Sequence, residues 1–89
     1  MKCAYDIAME RLKAESGAAK TLTGEQRARI ADIEKKYDAR IAETRLGFEE
    51  KMPGATNYEE LNALRAELAQ TIQGLEEKRD REKDAVWNE

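Results

Sequence analysis

The chain has 89 residues, with 19 acidic and 16 basic side chains, no histidine and one cysteine. One compact domain is the ceiling at this length. Without histidine, neither a Cys/His zinc site nor a Ser-His-Asp or Cys-His nucleophile can be built, and one cysteine rules out an internal disulfide.

The first predicted helix covers residues 4–15, where Tyr5, Ala8, Met9 and Leu12 share one face. Ser16-Gly17 ends it, glycine being suited to the left-handed position after a helix, and 16–22 reads as a connector. A second helix is predicted over 23–51. Thr23 caps it, Gln26 reaches back in a T-x-x-Q capping box, and Glu25 complements the positive end of the helix dipole. Pro53-Gly54 stops it, because proline cannot extend the hydrogen-bond ladder. After a turn at 52–56, a third helix starts at Asn57, with Glu60 completing a second box, and runs to 87. At about 1.5 Å per residue, each long helix is roughly 42–45 Å. Equal lengths and a short turn predict an antiparallel hairpin.

Ala, Glu, Lys, Leu and Arg supply 51 of the 89 residues, a long-helix composition when it carries helical periodicity. In the second helix the apolar stripe is Ile30, Ile33, Tyr37, Ile41, Thr44, Phe48 and Met52. A strict heptad from Ile30 would select Arg40, Gly47 and Lys51 instead. In the third helix the stripe is Leu61, Leu64, Leu68, Ile72, Leu75, Arg79, Lys83 and Val86, where a heptad would bring in Thr71, Lys78 and Glu82. Both stripes follow an 11-residue repeat of about 3.67 residues per turn, so the predicted hairpin is straight or slightly right-handed. The competing reading is a heptad pattern with a local irregularity.

A turn centred on Pro53-Gly54 sets Phe48 opposite Leu61, Ile41 opposite Leu68, Tyr37 opposite Ile72 and Ile30 near Arg79. The turn-proximal half is then apolar and the far half thin, with Leu22, Val86 and Trp87 at its tip. Tyr5, Met9 and Leu12 are the candidates to cover that end, in the same chain or on a partner. One seam between two helices has little interior. Leu46 and the alanine runs 28/31/39/42 and 63/66/69 form a second, shallow face. The expected architecture is therefore all-α: a coiled-coil-like hairpin with a short N-terminal helix, dimerising into a four-helix bundle. A monomeric three-helix arrangement is the alternative.

No catalytic, cofactor-binding or metal-binding residue is predicted. Glu49-Glu50, Glu59-Glu60 and Glu76-Glu77 are adjacent in sequence and so do not share a helix face, as paired acid/base work would require. The glycines are scattered and form no phosphate-cradling loop. Gly47 and Gly74 lie inside the long helices, read either as close approach of a partner backbone or as tolerated drift. Charges balance over 24–51, at seven basic and seven acidic residues, so no basic stripe marks a nucleic-acid surface. No run of about 18 apolar residues spans a membrane. Asp6, Glu10 and Arg11 interrupt the apolar core a signal peptide needs, so the expected compartment is the cytoplasm, where Cys3 is a free thiol. Trp87 reads as closing the core against Leu22 and the first helix, or as an interface anchor.

The segments AYDIAMERL and LTGEQRARIADIEKKYDARIAE, within residues 4–44, resemble a group of short, uncharacterised bacterial coiled-coil proteins. The group often carries proline where Gly24 stands. The resemblance implies a small bacterial cytoplasmic helical protein and brings no ligand or catalytic residue with it. The function expected is a non-enzymatic interaction or assembly module, its partner a second copy or another helical protein. The alternative is a nucleic-acid-associated accessory protein.

Overall fold

In the computed structural model, the described residues are 21–89, with Ala4 ahead of them. The expected first helix, with Tyr5, Met9 and Leu12, lies outside the described residues apart from Ala4, which is helical. Two helices make up nearly all the rest: α1, Gly24–Lys51, and α2, Tyr58–Trp87, with a 3-10 turn at Met52–Gly54 between them. There is no strand among the described residues.

Local chemistry accounts for each helix end. The Gln26 backbone N–H donates to Thr23 Oγ1 at 3.0 Å, and the Thr23 N–H donates to Gln26 Oε1 at 2.9 Å, a complete capping box. At the start of α2, the Glu60 N–H donates to Asn57 Oδ1 at 2.9 Å. The second half of that box differs from expectation. Glu60 Oε2 accepts from the Thr56 N–H at 2.8 Å, one residue before the cap, because Asn57 is fully extended there. At the other end of α1, Pro53 does not stop the chain abruptly. Met52 keeps helical angles, Pro53 sits in the first turn of the 3-10 segment, and the path breaks only at the extended Ala55.

α1 and α2 pack antiparallel along one seam. Tyr37, Leu68 and Val86 are the buried apolar side chains, at 3%, 9% and 3% exposure. On α1 the half-buried positions beside Tyr37 include Ile30, Ile33, Ile41, Thr44, Gly47 and Phe48, while Arg40 and Lys51 are exposed. On α2 they include Leu61, Leu64, Ile72, Leu75, Arg79, Glu82 and Lys83, while Thr71 and Lys78 are exposed. The covered side thus holds the expected stripe together with Gly47 and Glu82, which a heptad would select.

Across the seam Lys36 reaches Glu82 and Glu34 reaches Lys83. Helical side chains lean toward the N-terminus of their own helix. In an antiparallel pair those leans are opposed, so a side-chain tip on α1 meets a residue of α2 whose Cα lies farther from the turn than the one directly opposite.

Candidate interaction surface

The seam has two chemically different halves. Near the turn it is apolar and flanked by open grooves. Ala63 and Leu64 line one with Glu50 and Lys51, and Leu68, Ala69 and Ile72 line another between Arg45 and Arg65. At the turn itself Met52, Ala55 and Leu61 meet beside Tyr58, which is 80% exposed. Leu46, off the seam, is 59% exposed.

The far half is bracketed by charge. Arg29 Nη1 lies 2.6 Å from Glu89 Oε2, Lys83 Nζ 2.7 Å from Glu34 Oε1, and Lys36 Nζ 3.1 Å from Glu82 Oε2. Among the described residues these are the ion pairs that join α1 to α2 or, through Glu89, to the end of the chain just past α2. Tyr37 sits beneath this layer, with Lys36 Nζ 5.0 Å and the Arg40 guanidinium 5.2 Å from its ring centre. The charged heads themselves lie over the ring and stay partly in water, a cation–π arrangement. Glu82 Oε2 is buried and, despite the nearby ammonium, accepts no well-directed hydrogen bond. Gln26 Nε2 donates to the Val86 carbonyl at 3.4 Å and closes the tip.

Carboxylates in these contacts titrate low. The hydrogen bond from Lys83 holds Glu34 below its ordinary value, and that from Lys36 does the same for Glu82, with the Tyr37 hydroxyl adding to it. Glu60 is lowered by the Thr56 N–H. The Arg79 guanidinium is raised by Asp80, at 3.0 Å. Each shift favours the charged form already present at neutral pH, the opposite of the raised carboxyl a general acid needs. No group of three or more acidic or cysteine side chains that could hold a metal ion occurs among the described residues. No helix among them is long and apolar enough to cross a membrane.

Leu22 is half-buried at the far tip, and Val86 is the buried side chain there. Trp87 remains 40% exposed, because one residue along a helix rotates the side chain about 100° away from the seam. A Cβ added at Gly47 or Gly74 would meet nothing within 4 Å, so neither glycine is required by packing against this chain's described residues. The cross-helix ion pairs were not foreseen as pairs. Arg79 and Lys83 on an otherwise apolar stripe were the available signal, but naming their partners needed the register. In comparisons with known proteins, no family model, no curated protein and no solved structure matches this chain.

Proposed function

We propose that this chain is a non-enzymatic assembly module, and that a second copy covers its seam to form a four-helix bundle. The incomplete burial of the seam carries this reading. Along the described hairpin only Tyr37, Leu68 and Val86 are buried among apolar side chains, and the flanking isoleucines, leucines and Phe48 keep part of their surface in water. Fully burying a side chain of that size contributes about 1.5–3 kcal/mol, and a two-helix seam realises only a fraction of it. A second hairpin laid across the open grooves beside Leu64, Leu68 and Ile72 would recover the remainder.

Light scattering over a concentration series, with reductant present to keep Cys3 from cross-linking, tests the proposal. The expected mass is twice the 10.1 kDa of one chain. A mass that stays at one chain across the series overturns self-association.

A further inference from the structure

We propose that the far half of the hairpin is an ionic latch that opens separately in acid or high salt, uncovering Tyr37 and Val86 while the turn-proximal half stays closed. The inference does not depend on self-association. It rests on how the interactions are distributed along the seam. Among the described residues, every ion pair between α1 and α2, or the chain end just past it, lies in the far half: Arg29–Glu89, Glu34–Lys83 and Lys36–Glu82. The hydrogen bond from Gln26 to the Val86 carbonyl lies there too. Toward the turn, α2 presents Leu61, Leu64, Leu68, Ile72 and Leu75 to the seam. Beyond Leu75 its covered positions are Glu76, Arg79, Glu82 and Lys83 until Val86, while α1 contributes Ile30, Ile33 and Tyr37 there.

The charges facing each acidic group are defined. Glu82 faces Lys36, Arg40 and the Tyr37 hydroxyl from α1. Glu34 faces Lys83 and Arg79 from α2. Arg79 in turn faces Asp38 across the seam, and Glu76 and Asp80 on its own helix. Protonating these carboxylates leaves Arg29, Lys36, Arg40, Arg79 and Lys83 as neighbouring cations along one narrow seam, two of them over the Tyr37 ring. Attraction across the seam becomes repulsion. Salt acts in the same direction more weakly, since these pairs are partly exposed and within reach of screening. The apolar half has no such term to lose.

Segmental hydrogen exchange on the full chain at neutral pH reads the latch directly, comparing low salt with molar sodium chloride, and the parent with an E34Q/E82Q variant that mimics protonation. The expected result is about three- to tenfold faster exchange over 26–37 and 79–87 in the variant, and a smaller acceleration there in the parent at high salt. Exchange over 41–51 and 61–72 should change less than about twofold. A charge swap, Glu34→Lys with Lys83→Glu, should restore protection that either single change removes. Equal acceleration in both halves, no acceleration, or failure of the swap to restore protection would overturn the latch. The salt comparison needs no variant, so a poorly folding substitution does not decide the outcome.

Discussion

Single residues decide where the helices start and which ends respond to pH. Thr23 satisfies the first free N–H groups of α1 through its hydroxyl, and Gln26 returns the bond. Replacing Thr23 by alanine should cost about 1 kcal/mol, measured as a lower midpoint in urea. Gly47 and Gly74 make the opposite case. Both have open space where a Cβ would go, so Gly47→Ala and Gly74→Ala should each stabilise the hairpin by about 0.5–1 kcal/mol in thermal unfolding. If either glycine lies against the backbone of a second copy, the same change will lower the mass in solution while raising helicity. The pH dependence has a definite sign. Glu34, Glu60 and Glu82 all titrate below the ordinary carboxylate value of 4.5. The stability they contribute is complete above that value and is lost as pH falls through their lowered values. Far-UV circular dichroism across an acid titration should therefore show helix loss beginning below the ordinary carboxylate range.

At the scale of elements, the hairpin is held by one seam whose two halves use different interactions. Leu68 is the buried side chain of the turn-proximal half, and Leu68→Ala should cost about 2–3 kcal/mol. The difference between the parent and variant unfolding midpoints should be the same at low and high salt, since only apolar contact is removed. The composition and capping pattern already specified both helices and their bounds. Stripe spacing pointed to the covered side of each helix: Ile41 and Phe48 are half-buried while Arg40 and Lys51 are exposed, although Gly47 and Glu82, which a heptad would select, are half-buried as well. Which cation meets which carboxylate across the seam was not legible. It depends on the direction in which side chains lean from each helix, which hydrophobic periodicity does not report.

At the scale of the whole molecule, the exposed part of the seam and the shallow alanine face make association the property to measure. Leu46, 59% exposed and off the seam, separates the hairpin from its assembly. Leu46→Asp should leave helicity at low concentration unchanged. If the second copy packs against this face, the variant should lower the mass measured by light scattering at high concentration. The candidate surface was legible in part. The apolar residues near the turn stand out as a stripe, and Arg79 and Lys83 stand out as interruptions of it. The part Lys83 plays in a charged bracket does not, because Glu34 looks like an ordinary solvated residue of a helix until α2 is laid beside it, and Arg79 pairs within its own helix, with Glu76 and Asp80.

Sequence alone determined that the described chain is helical, where it turns, and which stripe each helix buries. All of these follow from local rules: caps, proline and a repeat close to the natural helical period. Tertiary structure alone decided the pairing of Lys36 with Glu82 and of Lys83 with Glu34, and how far Trp87 stays exposed beside buried Val86. The two pairings depend on the distance between residues about 50 positions apart in sequence. That distance is set by the geometry of one short turn and by the direction in which side chains leave a helix.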